Sequence, residues 1–275
     1  TWHESVNMAA VLNLPVVFTV QNNQFAYSSP NDTEFGTPNV ADRAAGYGIP
    51  AKIIDGNDIY EVIDAIYDSC EDARNGNGPS LIELVTFRHY GHAGHDPAEY
   101  VNDEVRDFWM KRDPIARFEN ALLEEGLFTT EHFVNLTDEL ETEIKETLDW
   151  AKNQDDPDPK NEESDIFASR TTPKIENSED SKTTMNYIEA ITNGLDELME
   201  NDENVFMMGE DIGVFEGAFK ATKGLFDKYG PFRVIDTSIS EGGFTGAAVG
   251  AALAGKKPIV ELQFYDFVYP ALDQL

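Results

Sequence analysis

Apolar and polar residues follow a strand–helix–strand order along the first half of the chain. Residues 3–12 and 58–76 carry apolar side chains at helical spacing, and the second segment ends in glycine. Residues 15–20, 51–56 and 80–87 are short and almost continuously apolar, which is typical of fully buried strands. This order predicts a parallel sheet that is covered by helices on both faces.

The second half of the chain repeats this pattern. An amphipathic helix is predicted at 187–202 and a helix of small residues at 242–255. Buried strands are predicted at 205–211, 232–241 and 258–267. The fold class is therefore α/β, with two parallel-sheet domains.

A polar, acidic segment separates the two halves. Residues 153–183 are rich in Asp, Glu, Pro, Ser and Asn, and such a segment buries too little apolar surface to offset its ordering entropy. We predict a linker there, between a first domain at 1–152 and a second at 184–275. Apolar residues three and four apart predict one more amphipathic helix before the linker: Phe133, Leu136, Leu140, Ile144 and Leu148.

The charge and the cysteine content narrow the class of protein. The chain of 275 residues has 52 acidic and 20 basic residues, a net charge of −32, which argues against nucleic-acid partners and anionic membranes. No apolar run reaches the length of a membrane-spanning helix. Cys70 is the only cysteine, so an internal disulfide is excluded and a reducing compartment is favoured. We expect a cytoplasmic location, or the mitochondrial matrix in a eukaryote.

Four carboxamide residues, Gln21 to Gln24, follow the strand predicted at 15–20. Ligands of open parallel sheets bind beyond the carboxyl ends of the strands. The side-chain oxygens of Asn22 and Asn23 are hard, neutral ligands that suit Mg²⁺ or Ca²⁺. The alternative is an ordinary polar turn, in which Asn is common.

A loop rich in histidine and glycine follows the strand at 80–87. It contains Arg88, His89, His92 and His95, three of the five histidines of the chain. One interpretation is a zinc site, although no cysteine or HExxH pattern supports it. A second is an anion site, in which glycine lets the backbone approach a phosphate and Arg and His donate hydrogen bonds. A third is a polar surface loop.

Glu241 stands where a predicted strand turns into the glycine-rich helix, a position that faces a ligand cleft in α/β folds. A carboxylate walled there by Ile239 and Phe244 would be placed to exchange protons. The alternative is an acid at a helix N-terminus that the helix dipole stabilises.

These residues carry a family resemblance. TWHESVNMAAVLNLPVVFTVQNNQFAYSSP, DRAAGYGIPAKIIDGND, GPSLIELVTFRHYGHAGHDP and RDPIARFENALLEEG resemble, in the right order, the α subunit of the thiamine diphosphate-dependent decarboxylase of 2-oxo-acid dehydrogenase complexes. From about residue 184, the chain resembles the β subunit of the same enzyme. The resemblance covers nearly everything except the linker, and it implies an α–β fusion that lacks the start of the α part and the end of the β part.

The α resemblance implies a diphosphate- and metal-binding domain. Asn23 matches a ligand of Mg²⁺, and the carbonyl of Phe25 matches a backbone ligand. Gln21 is expected to reach the phosphate region. His92 matches a loop histidine near the diphosphate and the reacting carbon, and Arg88 matches an arginine beside it.

The β resemblance implies a pyrimidine-binding domain. Glu241 matches the glutamate that hydrogen-bonds the aminopyrimidine ring of thiamine diphosphate and shares a proton with it. Phe267 matches an aromatic residue that packs on that ring, and Ile239 and Gln263 lie nearby in the family. The predicted catalytic residues are therefore Glu241 and His92.

The resemblance implies oxidative decarboxylation of a 2-oxo acid, with transfer of the acyl group to a lipoyl-bearing acyltransferase partner. We expect a homodimer of fused chains. The segment LQFYDFVYPALDQ favours branched-chain substrates over pyruvate. An acetoin-cleaving relative, a zinc hydrolase built on His89, His92 and His95, and a non-catalytic acidic scaffold are the alternatives.

Two departures from the family pattern add expectations. Family members regulated by phosphorylation carry Ser directly after the loop histidine; here the residue is Ala93, so that switch is not expected. A GDG segment with a metal-binding Asp would lie before Thr1. We therefore expect that these 275 residues alone bind thiamine diphosphate poorly and show no turnover.

Overall fold

The computed structural model describes residues 1–159 and 184–275. These residues belong to two compact units, one of residues 1–112 with 184–275 and one of residues 113–183. The linker predicted at 153–183 lies largely outside the described residues. The predicted domain boundaries stay a prediction.

The first stretch of the larger unit contains five helices and five strands. The helices are α1 (Trp2–Val11), α2 (Asn31–Glu34), α3 (Ala44–Tyr47), α4 (Ile59–Arg74) and α5 (Asp103–Met110). The strands are β1 (Val17–Asn22), β2 (Phe25–Ala26), β3 (Ser29–Pro30), β4 (Ala51–Asp55) and β5 (Ser80–Val85). A short 3-10 helix covers Ala41–Arg43.

Strands β1, β5 and β4 form a parallel sheet with β5 in the centre. Successive residues of a strand point to opposite faces. Leu81 packs with Val6 of α1, whereas Ile82 packs with Ala65 of α4, so helices cover both faces as predicted. Full burial of each such apolar side chain stabilises the fold by about 1.5–3 kcal/mol.

The second stretch of the larger unit has the same architecture. It contains α8 (Tyr187–Asn201), β6 (Val205–Gly209), α9 (Leu225–Tyr229), β7 (Val234–Asp236), α10 (Glu241–Leu253) and β8 (Lys257–Glu261). The strands form a parallel sheet in the order β7–β6–β8. Met207 packs with Met199 of α8, and Met208 packs with Phe244 of α10 on the other face. The predicted α/β class with two parallel sheets is confirmed.

Helices α1 and α10 pack against each other and join the two sheets into one unit. Met8 of α1 lies in the same apolar cluster as Phe244 and Ala248 of α10. The helices approach closely at Gly242, where an added Cβ would lie 2.9 Å from Oε2 of Glu4. The glycine-rich start of α10 is therefore required by packing.

Two predicted strands are shorter than their apolar runs. The strand predicted at 258–267 ends at Glu261, and Phe267 lies in a 3-10 helix, Tyr265–Ala271. The strand predicted at 232–241 covers only Val234–Asp236, and Glu241 opens α10. The central strand β6 ends at Gly209, which is in register with the last residues of both neighbouring strands, Asp236 and Glu261.

The described part of the smaller unit contains α6 (Pro114–Glu124) and α7 (Thr130–Lys152). The side chains of Asp113 and Thr129 cap the N-termini of these helices. Helix α7 confirms the amphipathic helix predicted around residues 133–148, and Leu140 on its apolar face is 49% exposed. Within residues 1–159 and 184–275, no helix combines the length and the apolar character needed to cross a bilayer.

Candidate active site

The carboxyl ends of β1 and β5 carry one group of predicted site residues. We define the first-sheet edge by Gln21, Asn23, Phe25, Arg88 and His92. The first three follow or end β1, and the other two lie in the loop after β5. The parallel register aligns Asn22 with Val85, which brings the two loops to the same side of the sheet.

The carboxamide side chains at the end of β1 and directly after it make different contacts. Asn22 is buried; its Nδ2 donates to Oε1 of Glu83 at 2.6 Å, and its Oδ1 accepts from Nδ2 of Asn31 at 2.6 Å. Oδ1 of Asn23 accepts the backbone N–H of Phe25 at 3.1 Å. A carboxamide oxygen has two lone pairs, so the Asn23 oxygen retains one for a cation. Gln21 is exposed at the end of the strand.

Two residues close to Phe25 have a left-handed backbone. Gln24 and Tyr27 have φ angles of 72° and 55°, in the left-handed region that favours glycine. Such residues cost on the order of 1–3 kcal/mol and cluster at functional sites. Tyr27 lies in the two-residue turn of the β2–β3 hairpin, where a positive φ is ordinary, so the strained residue that the hairpin turn does not explain is Gln24.

Arg88 joins the two loops of the first-sheet edge. One of its guanidinium nitrogens donates to the carbonyl of Tyr27 at 2.6 Å and to the hydroxyl of Tyr100 at 2.7 Å. Its Nε donates to the carbonyl of Tyr90 at 3.1 Å. The ring of His92 meets the ring of Tyr27 edge to face, with 4.8 Å between centroids. The structure thus brings His92 against the loop that carries Phe25.

Asp96 organises the histidine loop, although its sequence position drew no prediction. Its carboxylate accepts the backbone N–H of His92 at 2.7 Å, the N–H of Ala98 at 2.9 Å and the hydroxyl of Tyr100 at 2.8 Å. The hydrogen bonds from Ala98, His92 and Tyr100 lower the pKa of Asp96 below its ordinary value. The available signal was an acid directly before proline in a glycine-rich loop.

Two cavities open at the first-sheet edge. One of about 560 Å³ is lined by Asn22, Gln24, Phe25 and Glu83 among others. The other, of about 660 Å³, is lined by the histidine loop, including His89, His92 and Asp96. Within the part of the chain that the structure describes, no three His, Cys, Asp or Glu side chains form a group that could hold a metal ion. The geometry therefore does not favour the zinc interpretation of the three loop histidines.

The second group of predicted site residues lies at the carboxyl ends of β6, β7 and β8. We define the second-sheet edge by Ile239, Glu241, Gln263 and Phe267. Glu241 is buried in the first turn of α10, where the helix dipole favours a negative charge, and Phe244 one turn on is fully buried. Ile239 is 83% exposed, so the wall predicted from Ile239 and Phe244 is present only on the Phe244 side.

Two further acids belong to this edge. Burial, and after it the negative charge of Glu241, raises the pKa of Glu210, which follows β6. Burial also raises the pKa of Glu261, the last residue of β8. Nε2 of Gln263 donates to the carbonyl of Glu210 at 3.3 Å, so this predicted residue contacts the loop after β6. Glu210 is one of two acids that end the apolar run at 205–211, which was its sequence signal.

Phe267 belongs to a chain of aromatic rings. It meets Phe264 edge to face at 5.7 Å between centroids, and Phe264 meets Phe219 in the same way at 5.5 Å. Phe267 is 38% exposed and can therefore contact a ligand. Within the described residues, no hydrogen bond or ring contact joins the second-sheet edge to the first-sheet edge.

Two family models match this chain. Residues 1–160 match the dehydrogenase E1 component, and residues 183–275 match the pyrimidine-binding domain of transketolase. A crystal structure of a transketolase mutant from Pichia stipitis aligns with 99% of this chain and 42% of its own, with a TM-score of 0.52 and 16% identity, which shows a shared fold.

Curated relatives include subunits of both types. The α subunit of acetoin:2,6-dichlorophenolindophenol oxidoreductase from Bacillus subtilis is 39% identical over 62% of this chain and 50% of its own length. The 2-oxoisovalerate dehydrogenase α subunit from the same organism is 38% identical over 55% of this chain and 46% of its own. A mitochondrial pyruvate dehydrogenase E1 component subunit beta-2 from Oryza sativa is 53% identical over 32% of this chain and 23% of its own.

The chain spans half or less of the length of these relatives. The dehydrogenase E1 model nevertheless covers more than half of the chain, and it includes the whole first-sheet edge. The chain belongs to the dehydrogenase E1 component family.

Proposed function

We propose that this chain is a fused form of the decarboxylase of a 2-oxo-acid dehydrogenase complex, with thiamine diphosphate and Mg²⁺ as cofactors. The observation that carries the proposal is the presence of both family matches on one chain, each with its predicted residues at a sheet edge. In this proposal, the first-sheet edge binds diphosphate and metal. The second-sheet edge binds the pyrimidine ring.

The donor set at the first-sheet edge fits Mg²⁺ bound together with a diphosphate. Asn23 offers a side-chain oxygen and Phe25 a carbonyl, and both are hard, neutral ligands. Both of these ligands are neutral, and a diphosphate would add the anionic oxygens that Mg²⁺ prefers. Arg88 holds the neighbouring loop in place through Tyr27 and Tyr100.

When bound, thiamine diphosphate supplies a nucleophilic carbon and an electron sink for the loss of CO₂ from a 2-oxo acid. With the cofactor bound, the buried carboxylate of Glu241 would hold and return a proton at the pyrimidine ring. Phe267 would pack on that ring. His92, in the loop against Tyr27, would donate a hydrogen bond to the bound cofactor or substrate.

We further propose that the acyl group is passed to a lipoyl group on an acyltransferase partner, and that the substrate is a branched-chain 2-oxo acid or pyruvate. An acetoin-cleaving activity is the second candidate. It is favoured by the 39% identity to the acetoin oxidoreductase subunit.

Calorimetric titration of the full-length protein with thiamine diphosphate and Mg²⁺ tests the cofactor. A panel of 3-methyl-2-oxobutanoate, pyruvate and acetoin, with dichlorophenolindophenol as electron acceptor, then tests the substrate. Cofactor-dependent loss of CO₂ from one of the 2-oxo acids supports the proposal. Turnover of acetoin alone favours the second candidate, and absence of cofactor binding refutes both.

A further inference from the structure

A buried carboxylate lies in the centre of the first sheet, and no step of the proposed function uses it. Glu83 is in the central strand β5, in register with Val20 of β1 and Ile53 of β4, and is 0% exposed. Burial of a charged group is costly unless the group is paired and hydrogen-bonded. Within the described residues no cationic side chain forms an ion pair with Glu83. An apolar residue would suit this strand better, so its carboxylate has a task other than packing.

The two oxygens of Glu83 accept from two distant segments. Oε1 accepts from Nδ2 of Asn22 at 2.6 Å, and Oε2 accepts the backbone N–H of Ala41 at 2.8 Å. Both donors are buried. Glu83 therefore fixes the end of β1 and the start of the 3-10 helix at Ala41 against the central strand.

The first of these hydrogen bonds sets the orientation of the Asn22 carboxamide. Because Nδ2 faces Glu83, Oδ1 faces the loop after β1. There it accepts the backbone N–H of Gln24 at 3.2 Å and Nδ2 of Asn31 at 2.6 Å. The side chain of Gln24 in turn donates to the carbonyl of Asn22 at 3.0 Å. The left-handed backbone of Gln24 is thus held from both sides.

Gln24 lies between Asn23 and Phe25, the two proposed Mg²⁺ ligands. We infer that Glu83 is a positioning residue for the metal–diphosphate loop, and that it acts through the carboxamide of Asn22. This inference rests on the proposed function. Direct hydrogen-bond partners of metal ligands commonly change metal affinity by about 10–100-fold when they are replaced, which is an upper range for Glu83 because it acts through Asn22 and Gln24.

The directions of the hydrogen bonds provide a sharp test. In Glu83→Gln, one of the two acceptor oxygens becomes a donor and faces an N–H of Asn22 or Ala41. If Asn22 rotates to offer its oxygen to the new amide, its NH₂ faces the N–H of Gln24 instead. In Asn22→Asp, two carboxylates meet. In the double variant E83Q/N22D, the carboxylate introduced at position 22 accepts from the new amide, Gln24 and Asn31, and the charge of the pair is conserved.

The measurements are the dissociation constant for Mg²⁺–thiamine diphosphate and hydrogen exchange of residues 22–31 without cofactor, on the full-length protein. We expect each single variant to bind the cofactor more weakly, by up to about 10–100-fold, and to exchange faster in this segment. The double variant should recover most of both properties. Glu203→Gln, at an exposed turn, is the matched control and should resemble the wild type.

Wild-type affinity in Glu83→Gln, or a double variant as impaired as the single ones, would overturn the inference. If a single variant does not fold, Asn31→Ala is the substitute. It removes the hydrogen bond from Nδ2 of Asn31 to Oδ1 of Asn22 and leaves Glu83 unchanged, and it should also weaken cofactor binding. A wild-type chain that binds no cofactor would refute the proposed function. In that case, hydrogen exchange of residues 22–31 would still test whether the Glu83–Asn22 hydrogen bond orders this segment.

Discussion

Glu210 and Glu241 are neighbouring carboxyl groups at the second-sheet edge, and burial and the negative charge of Glu241 both raise the pKa of Glu210. Burial is the larger cause of the raised pKa of Glu210, and the negative charge of Glu241 is the next. Glu241 occupies the favourable first turn of α10, whereas Oε1 of Glu210 is buried and has no hydrogen-bond partner among residues 1–159 and 184–275. A carboxyl group in such a place favours its protonated form.

Glu210→Gln is expected to change the pH dependence of stability. A folded-state pKa above the ordinary value of 4.5 means that the folded protein holds the proton more tightly than the unfolded chain. The stability that this proton contributes is present below the ordinary pKa and is lost as pH rises through the folded-state pKa. Glutamine cannot ionise. The melting temperature of the variant minus that of the wild type should therefore be larger at pH about 8 than at pH about 4.

The measurement is thermal unfolding across this pH range, with Glu203→Gln as an exposed control. Melting curves of Glu210→Gln that stay parallel to those of the wild type at every pH would contradict the raised pKa.

Glu241→Gln is expected to leave the fold intact and to reduce decarboxylation by more than about 10²–10⁴-fold, the range for general acid–base groups. The amide fills the same buried space at the start of α10, but it cannot exchange a proton with the pyrimidine ring. Steady-state CO₂ release and circular dichroism measure the two effects. A variant that keeps a tenth of the wild-type rate would remove Glu241 from the proposed mechanism.

Asn23→Ala is expected to weaken Mg²⁺–thiamine diphosphate binding without unfolding the sheet. The change removes a proposed metal ligand and the acceptor for the N–H of Phe25. Calorimetry on the full-length protein measures the affinity. Asn201→Ala, which removes an exposed carboxamide at the end of α8, is the control. Equal cofactor affinity in the two variants would refute the assignment of Asn23.

The apolar periodicity predicted the helices and strands of both sheets because the spacing of apolar residues within each element shows which of its faces are buried. The ends of strands were less predictable. Phe267 follows β8 in an apolar run, yet β8 ends at Glu261, in register with the last residue of β6, Gly209, and Phe267 lies in a 3-10 helix. The length of a strand thus depends on a neighbour that is remote in sequence.

The residues of the candidate site were predictable where their signal is local in the sequence, and not where their role depends on remote residues. Asn23, Arg88, His92 and Glu241 stand in recognisable local patterns. The role of Glu83 depends on Asn22 and Ala41, which are 61 and 42 residues away in the chain. Its only local signal is an acid inside a buried apolar strand, a residue type that is rarely buried unpaired.

Asp96→Asn is expected to loosen the histidine loop. An amide offers one acceptor oxygen where the carboxylate offers two, so it cannot accept from His92, Ala98 and Tyr100 in the present arrangement. The pKa of Asp96 is lowered, so its stabilising effect is present above its ordinary value of 3.8 and is lost as pH falls through the folded-state pKa. Hydrogen exchange of residues 88–101 at neutral pH should be faster in the variant, and the difference should shrink in acid. Equal exchange at neutral pH would contradict the role of Asp96.

The last prediction concerns two copies of the chain. No hydrogen bond or ring contact within the described residues joins the first-sheet edge to the second-sheet edge, and the aromatic rings of Phe219 and Phe264 at the second edge are exposed. We therefore expect the cofactor to lie between the first-sheet edge of one copy and the second-sheet edge of the other. Asn23→Ala and Glu241→Gln damage different edges, so a mixed dimer would contain one intact site and one doubly damaged site.

Co-expression of the two full-length variants with different affinity tags tests this arrangement. At a cofactor concentration that saturates the wild type but not Asn23→Ala, each variant alone should show little activity. Random mixing should restore about a quarter of the wild-type rate, because about half of the dimers are mixed and each mixed dimer has one intact site of two. Tandem purification through both tags should raise the value to about half for the same reason. If instead each chain forms a complete site by itself, every chain in the mixture carries a damaged site, and no activity should return in the doubly purified dimer.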